Sequence, residues 1–392
     1  MNQQKLIRIT TVPVSLKILL KGQHRFMSEN GFEVIGVSSN GEQLYEVKNE
    51  EDVRVEALEM TRTISPVKDL NALWSFYKLC KKEKPLIVHS HTPKAGIVGM
   101  LGAKLAGVPI RLHTVAGLPL MEATGVKRKV LDFVEKLTYA CATKVYPISY
   151  GMESFILENS LTKKRKVKVL ANGSSNGIDS QFFKSENILE KDKSELKKRL
   201  KIKENDLVII FVGRLTGDKG INELITAFKK LTLSDVKLLL VGPFESELDP
   251  LQSSTLKEID LNTDIISVGY QKDVRPYLGI SDFMVFPSYR EGFGNVVAQA
   301  GLMDLPCIVS NITGCNEIIK DGVNGTIIPV KNAKALQQAM EKMITDKPFY
   351  EKLKTNARAM IKSRYEQKVV WNALLEEYSS LIAEYKNKKG KQ

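Results

Sequence analysis

A turn that contains two glycines and an acid, residues 291–295 (EGFGN), lies between two apolar stretches in the second half of the chain. The stretch before it, 283–286, predicts a buried strand, and the stretch after it, 296–303, predicts a buried helix. Glu291 therefore lies where a strand ends and a helix begins. Unpaired amides and the helix dipole at such a place suit an anionic or hydroxyl-rich ligand. The alternative interpretation is a tight turn with a solvated acid.

A second candidate segment combines a glycine turn with two cations. Gly213 and Arg214 follow an apolar run at 208–212, and Lys219 precedes a helix predicted to begin near Asn222. Arginine offers a bidentate fork and lysine a point charge, so this pair could clamp a diphosphate. The segment matches neither the Walker sequence nor GxGxxG. Taken alone, both cations could be ordinary surface residues.

The elements that must position these residues alternate between strand and helix through both halves of the chain. Such alternation predicts an α/β fold in which parallel sheets carry helices on both faces. In the first half we expect strands at 6–10, 33–37, 53–57, 86–89, 110–113, 144–147 and 166–170. In the second half we expect strands at 208–212, 237–241, 265–268, 283–286, 306–310 and 325–328. Each half therefore predicts one Rossmann-like, doubly wound domain.

The domain boundary is expected in a turn-rich stretch at 171–179, which we interpret as a hinge. We expect an N-terminal domain at 1–175 and a C-terminal domain at 176–365, facing each other across a central cleft. Apolar spacing at 369–385 predicts a core-facing helix, and the segment 366–392 is expected to pack back on the first domain. Near the N-terminus, residues 14–30 predict a single helix that ends at Asn30.

Composition fits a large two-domain protein of the cytoplasm. The chain has 392 residues, of which 43% are hydrophobic, and this length exceeds what one core usually serves. No stretch of about eighteen uncharged apolar residues occurs, and charges at Lys5, Arg8 and Lys17 interrupt any signal-peptide core. The four cysteines are too scattered for a disulfide framework or a CxxC metal site, so buried free thiols are expected.

The net charge of +13 is concentrated in part of the first half. Residues 127–168 contain ten Lys or Arg and four Asp or Glu. A basic amphipathic helix that begins at 127–129 and a basic loop at 163–166 could rest on an anionic membrane surface. A solvated basic surface is the alternative. Nucleic acid is not an expected partner, because aromatic residues make up 7% and do not alternate with basic ones.

Taken together, these segments resemble the retaining nucleotide-sugar glycosyltransferases of family 4, which have the two-domain GT-B architecture. The resemblance covers nearly the whole chain. It rests on Gly213-Arg214 with Lys219-Gly220, Pro287-Ser288 before residues 291–294, the segment 306–310, and Asn324-Gly325. In the first half, segments 88–96 and 111–119 resemble bacterial capsule and O-antigen transferases.

The resemblance implies roles for individual residues. Arg214 and Lys219 would bind the donor diphosphate and stabilise the leaving group, in place of the metal that Asp-x-Asp transferases use; no metal or other cofactor is expected. Glu291 would contact the donor sugar, and His113 would lie near the attacked carbon. The remaining donor-binding residues would be Gly213, Gly269, Tyr270, Gly292, Phe293, Gly294, Asn295 and Gln299. In this set the amides at 292–295 would hold sugar hydroxyls and phosphate, and 269–270 would hold the base.

One position departs from the family pattern. The family has Glu-x7-Glu, and the second acid is Gln299 here. A neutral amide can still accept bonds from ribose hydroxyls through its oxygen, so we expect altered nucleotide binding and an active enzyme.

The histidines suggest acceptor contacts more than a metal. His89 and His91 have no third ligand of matching spacing, which disfavours zinc. His91 and Lys94 are candidate acceptor-binding residues; a structural polar turn is the alternative.

Three functions remain open from the sequence. The first is transfer of a sugar from a nucleotide-diphosphate sugar to a lipid-linked saccharide at the inner membrane face during capsule, O-antigen or exopolysaccharide synthesis. The donor expected for this reaction is a UDP-hexose or UDP-N-acetylhexosamine. The second is a nucleotide-sugar epimerase or hydrolase of the same architecture. The third is a non-catalytic partner that binds nucleotide-sugars or saccharides, a hypothesis that Gln299 prompts.

Overall fold

The computed structural model describes residues 3–61, 63, 65–121, 123–245, 247 and 249–390. The chain divides into two compact units. Unit 1 comprises Met1–Gly177 and Gln367–Gln392, and unit 2 comprises Ile178–Glu366. Each unit contains one six-stranded parallel sheet, which is the doubly wound α/β architecture that the alternating pattern predicts.

The sheet of unit 1 has the strand order β3-β2-β1-β4-β5-β6. Its strands are β1 (Gln4–Ile9), β2 (Phe32–Ser38), β3 (Arg54–Ala57), β4 (Ile87–Ser90), β5 (Ile110–Val115) and β6 (Lys144–Pro147). The order reverses between β1 and β4, so the carboxyl ends of these two strands flank the switch point where ligands of such sheets bind.

The helices of unit 1 cover the sheet. They are α1 (Pro13–Leu19), α2 (Gln23–Glu29), α3 (Glu42–Glu51), α4 (Pro66–Glu83), α5 (Pro93–Ala106), α6 (Gly125–Cys141), α7 (Tyr150–Glu158) and α15 (Gln367–Lys389). Helices α4 and α6 both pack against α5. The final helix is attached to unit 1 by polar contacts, among them a 2.6 Å hydrogen bond between the Tyr378 hydroxyl and His89 Nδ1.

Two local predictions for unit 1 are wrong. The helix expected at 14–30 is broken into α1 and α2 at Gly22, which has φ +79. A Cβ there would lie 2.6 Å from the Trp371 indole, so the chain turns where the last helix packs close. The strand expected at 166–170 is reduced to one bridge between Val167 and Val145. Lys166 instead ends a 3-10 turn, and its ammonium bonds the carbonyl of Ala142 (2.7 Å).

The sheet of unit 2 repeats the arrangement with the order β12-β11-β10-β7-β8-β9. Its strands are β7 (Leu207–Val212), β8 (Val236–Val241), β9 (Ile265–Ser267), β10 (Phe283–Phe286), β11 (Cys307–Ser310) and β12 (Gly325–Ile328). Strands β7 and β10 are neighbours at the switch point, and both are almost fully buried. Fully buried strands of this kind are expected where helices cover both faces of a parallel sheet.

The helices of unit 2 are α8 (Glu190–Arg199), α9 (Ile221–Phe228), α10 (Ser253–Leu261), α11 (Arg275–Gly279), α12 (Asn295–Leu302), α13 (Ala333–Thr345) and α14 (Lys347–Tyr365). All four cysteines of the chain are buried free thiols, as the sequence predicts. Among the described residues, no helix is both long enough and apolar enough to cross a bilayer.

Candidate active site

Three neighbouring strands of unit 2 end at glycines. Gly213 follows β7, Gly242 follows β8 and Gly269 lies just beyond β9. The Gly242 amide donates to the Gly269 carbonyl at 2.9 Å, and a Cβ on Gly242 would lie 1.8 Å from the Gly213 carbonyl oxygen. The strand ends therefore approach so closely that a side chain is excluded. The sequence signal for Gly242 was present, because it follows its strand as Gly213 follows β7, but it was missed.

Arg214 lies at the carboxyl end of β7 and is matched by carboxylates. Its Nη1 donates to Glu245 Oε2 at 2.8 Å, and its Nη2 lies 3.8 Å from Asp218 Oδ2. The hydrogen bond that Arg214 donates to Glu245, more than any other contact, raises the pKa of the Arg214 guanidinium. The side chain remains 37% exposed, so the guanidinium is accessible to a ligand. Nothing in the spacing of the sequence identified Glu245 as its partner.

Lys219 connects the ends of β7 and β10. It closes a 3-10 turn, Gly217–Lys219, and the next residue, Gly220, has φ +72. A Cβ on Gly220 would lie 2.2 Å from the Pro287 carbonyl oxygen, so glycine is required where the turn approaches the residue after β10. This approach brings Lys219 Nζ to 2.6 Å from Glu291 Oε1. The structure thus joins two predicted site residues that are 72 positions apart in the chain.

A third cation completes this charged cluster. Arg290 binds Asp218 Oδ2 through Nε (3.1 Å) and Nη2 (2.9 Å). The Asp218 amide donates to Asp249 Oδ2 at 2.5 Å, which fixes the turn that carries Lys219. The cluster consists of three cations and three acids: Arg214, Lys219 and Arg290 with Asp218, Glu245 and Glu291. Partly exposed ion pairs have small net energies, so an added diphosphate could exchange with the carboxylates.

The loop at 292–295 contributes fewer amides than expected. The Gly294 amide donates to the Gly314 carbonyl (3.1 Å), and the Asn295 amide donates to the Phe293 carbonyl (2.9 Å). These two amides are therefore used inside the protein, which corrects the expectation that all four hold ligand oxygens. In the part of the chain that the structure describes, the amides of Gly292, Phe293 and Val296 have no protein acceptor.

The side chains of this region divide between packing and exposure. The Phe293 ring is buried and meets the Tyr365 ring edge-on at 5.1 Å, so it supports the loop from inside. Asn295 and Gln299 are one turn apart on the face of α12 that is not buried. Tyr270 follows the edge strand β9 with 74% of its surface exposed, which leaves its ring free to meet a flat ligand.

The predicted residues of unit 1 are buried. His113 lies near the end of β5, where its Nδ1 is 2.8 Å from the Ser90 hydroxyl. A Cβ on Gly96 would lie 2.7 Å from its ring, so α5 packs directly over the imidazole. Burial lowers the pKa of His113 to about 4, so the ring is neutral at physiological pH. It can offer or accept a hydrogen bond but carries no charge.

His91 and Lys94 make structural contacts within unit 1. His91 Nε2 lies 3.3 Å from Arg8 Nη2, and the side chain borders a cavity of about 20 Å³ that also includes Gln23 and Ser174. The Lys94 ammonium binds Asp69 Oδ2 (2.5 Å) and the Thr63 carbonyl (3.0 Å). The alternative of a structural polar turn therefore describes Lys94 better than acceptor binding does.

Arg8 is a functional candidate that sequence reasoning missed. It lies in β1 beside the switch point, is completely buried and bonds Gln23 and His91 through Nη2. Its Nε and Nη1 have no partner among the described residues. Burial lowers the pKa of this guanidinium. The signal was a charge inside the apolar run LIRI, which we interpreted only as an interruption of a signal peptide.

Within the described ranges, no group of three His, Cys, Asp or Glu side chains is arranged to hold a metal ion.

Comparison with known proteins gives matches over most of the chain. Residues 27–173 match the glycosyl transferase 4-like domain, and residues 192–360 match the glycosyl transferases group 1. The capsular polysaccharide biosynthesis glycosyltransferase CapM of Staphylococcus aureus is 34% identical over 99% of this chain and 100% of its own length. An Escherichia coli UDP-Gal:alpha-D-GlcNAc-diphosphoundecaprenol alpha-1,3-galactosyltransferase is 32% identical over 74% of each chain.

Solved structures share the fold at low sequence identity. A glycosyltransferase from Rickettsia africae superposes with a TM-score of 0.82 at 21% identity, covering 97% of this chain and 99% of its own. The HepE protein of Anabaena, solved with UDP and glucose, gives a TM-score of 0.78 at 18% identity, covering 96% and 100%. These similarities establish the GT-B fold that the sequence predicted.

Proposed function

We propose that this chain, which belongs to the group 1 glycosyltransferases, moves a hexosyl group from a nucleotide-diphosphate sugar to a lipid-linked saccharide in the synthesis of a cell-surface polysaccharide. Unit 2 would bind the donor, and unit 1 would bind the acceptor. The observation that carries this proposal is the cluster at the switch point of unit 2. There, Arg214 and the Lys219–Glu291 pair lie at the ends of two adjacent central strands.

The charges of this cluster suit the reaction. As the bond between the anomeric carbon and the diphosphate oxygen breaks, positive charge builds on the sugar and negative charge builds on the leaving phosphate. Fixed cations at Arg214 and Lys219 stabilise that negative charge, and they do so most in the transition state. Once the ammonium of Lys219 binds phosphate, Glu291 can accept hydrogen bonds from the sugar hydroxyls.

Retention of configuration follows if the acceptor hydroxyl attacks from the side of the leaving group. The acceptor oxygen then forms the new bond to the anomeric carbon, and its proton passes to the departing phosphate oxygen. No protein nucleophile is required, so the paired carboxylates of hydrolases are not needed. His113, neutral because of its lowered pKa, would orient a sugar hydroxyl without a proton transfer of its own. The cations take the place of a metal ion.

The relatives favour a UDP donor and a polyprenyl-diphosphate acceptor. The name of the Escherichia coli relative specifies UDP-Gal and a diphosphoundecaprenol acceptor. A Campylobacter jejuni relative, 27% identical over 79% of this chain, is an N-acetylgalactosaminyltransferase that acts on a diphospho-undecaprenol saccharide. A UDP-hexose or UDP-N-acetylhexosamine donor is therefore our proposal for this chain, with the enzyme held peripherally on the anionic inner face of the cytoplasmic membrane.

The test is a donor screen with a lipid acceptor. The protein is incubated with radiolabelled UDP- and GDP-sugars and a bacterial membrane lipid extract, with and without EDTA. We expect label from a UDP-sugar in the lipid phase, undiminished by EDTA. Free sugar or an epimer in the aqueous phase would favour the epimerase or hydrolase alternative, and binding without turnover would favour a non-catalytic partner.

A further inference from the structure

Helix α4 of unit 1 exposes an apolar stripe that no part of the described chain covers. Val67, Leu70 and Trp74 are all exposed, with Trp74 at 56%, and their spacing of three and four residues places them on one face. The opposite face holds the buried Ala72, Phe76 and Cys80. An exposed tryptophan in such a stripe is typical of helices that lie at a lipid–water interface.

Helix α6 carries a matching stripe. Val126, Val130 and Phe133 are spaced by four and then three residues and are exposed, with Val126 at 79% and Phe133 at 66%. Val126 is the second residue of α6 as Val67 is of α4, and Phe133 is the ninth residue as Trp74 is.

The charges on both helices favour an anionic partner. Lys68, Lys78, Lys127 and Lys129 are exposed around the two stripes. Both partly exposed acids of the two helices are paired within unit 1, Asp69 with Lys94 and Asp132 with Arg128. The other acids of the two helices, Glu83 and Glu135, are buried. Among the described residues these four lysines have no carboxylate partner, and Lys78 Nζ lies 5.5 Å from the centroid of the Trp74 ring. The surface therefore combines apolar side chains with cations that no acid neutralises.

The topology places both stripes at one edge of unit 1. Helices α4 and α6 each connect the carboxyl end of one parallel strand to the amino end of another, so both begin at the carboxyl edge of the sheet. They pack on either side of α5, which separates their axes by roughly 20 Å at ordinary helix spacing. The apolar residues occupy the first halves of both helices, at the edge where β5 positions His113.

We propose that the first halves of α4 and α6 form one docking surface for an anionic lipid leaflet, with Trp74 and Phe133 as its interfacial anchors. This inference rests on the proposed function, since a lipid-linked acceptor must be reached at a membrane. The surface lies at the edge of the acceptor unit where ligands of parallel sheets bind. The lipid tail of the acceptor would stay in the leaflet while its saccharide enters the site.

Tryptophan emission provides a direct test, because the chain has two tryptophans. Trp371 is tied inside unit 1 by a 2.7 Å hydrogen bond from Nε1 to Asn176 Oδ1. In a Trp371→Phe variant, Trp74 is the single emitter. It would be titrated with phosphatidylglycerol vesicles and with phosphatidylcholine vesicles, both brominated on the acyl chains. We expect a blue shift and quenching on the anionic vesicles only. If Trp371→Phe does not fold, wild type is compared with Trp74→Phe on the same vesicles. The quenching that is present in wild type and absent from Trp74→Phe then reports on Trp74.

Matched variants measure the contribution of each stripe. Leu70→Ala should weaken vesicle binding about tenfold, since a leucine that enters the interface loses most of its apolar contact. Lys68→Gln and Lys127→Gln should each weaken it about fivefold at low salt. Leu261→Ala is the control, because Leu261 in unit 2 has the same 65% exposure as Leu70; it should change nothing.

Several outcomes would overturn the docking surface. They are unchanged Trp74 emission on bound vesicles, equal binding by Leu70→Ala and Leu261→Ala, or a dimer that Trp74→Ala converts to monomer without a change in vesicle binding. In these cases transfer to a short-chain, detergent-soluble acceptor would persist, and the proposed function would stand. Absence of transfer to that soluble acceptor by the wild-type protein would instead contradict the proposed function.

Discussion

The two switch points of this molecule share a topology and differ in electrostatics. In unit 1 the ends of β1 and β4 surround Arg8, a completely buried guanidinium whose neighbours are histidines with lowered pKa values. In unit 2 the ends of β7 and β10 carry cations that are partly exposed and paired with carboxylates. Exposed ion pairs can exchange partners at small cost, whereas a buried charge cannot. The same strand topology therefore provides a fixed polar support in one unit and an exchangeable anion site in the other.

The largest expected effect is loss of the exchangeable cation at β7. Arg214→Ala should lower kcat roughly 100- to 1000-fold, the usual result of removing one group that stabilises transition-state charge. The measurement is the initial rate of transfer at saturating donor. Arg275→Ala is the matched control, because Arg275 is also an ion-paired arginine of unit 2, bound to Asp273 at 2.6 Å. A rate near wild type for Arg214→Ala would remove the clamp from the mechanism.

Low pH should destabilise unit 1 more than unit 2. All four histidines lie in unit 1, and burial lowers the pKa of each, that of His113 to about 4. The unfolded chain then binds more protons than the folded one below pH 6.5, so stability falls as pH drops from about 6.5 to 4. At pH 5, His113 alone should lower the free energy of unfolding by about 2 kcal/mol.

One buried acid of unit 1 opposes this trend. Burial raises the pKa of Glu135 to about 7, so its protonation stabilises the folded state as pH falls through that value. The four histidines together change the stability more than the one carboxyl does, so unit 1 still loses stability as pH falls. The Glu135→Gln variant should lose stability more steeply. Hydrogen exchange at pH 7.5 and pH 5 measures the outcome by region: amides of β1, β4 and β5 should lose protection before those of β7 and β10. Equal loss of amide protection in both units would contradict the proposed electrostatic difference between them.

A smaller effect is expected where a carboxylate competes with the donor. Glu245→Gln removes the charge bonded to Arg214 and should tighten UDP binding about two- to fivefold, the range of a partly exposed ion pair. Calorimetric titration with UDP measures it. Glu247→Gln changes the same loop by the same charge and should leave affinity unchanged. Weaker binding by Glu245→Gln would mean that Glu245 positions Arg214 and does not compete with the phosphate.

The smallest expected effect is at the position that departs from the family pattern. Gln299→Glu should raise UDP affinity by at most about threefold, because an ionised acceptor bonds the ribose hydroxyls more strongly than the amide oxygen does. The titration with UDP that serves Glu245→Gln also measures this change. A large loss of affinity would show that Gln299 has been assigned the wrong neighbour.

The sequence predicted those features of the two edges that are local in the chain. Apolar runs followed by glycine or proline identified β7 and β10, and the cation spacing identified Arg214 and Lys219. Contacts that depend on tertiary approach were not predictable in this way. Glu245 reaches Arg214 from a different loop, and the break at Gly22 exists because Trp371 packs there from the far end of the chain. The position of the donor phosphates is likewise a tertiary property, since it depends on where a ligand binds between these groups.

A crystal structure of the protein with UDP would show whether the phosphates bind at Arg214 and Lys219. We expect phosphate oxygens within hydrogen-bond distance of the Arg214 guanidinium and Lys219 Nζ, with the bonds from these cations to Glu245 and Glu291 broken or lengthened. Phosphates bound elsewhere, with both ion pairs intact, would contradict this expectation.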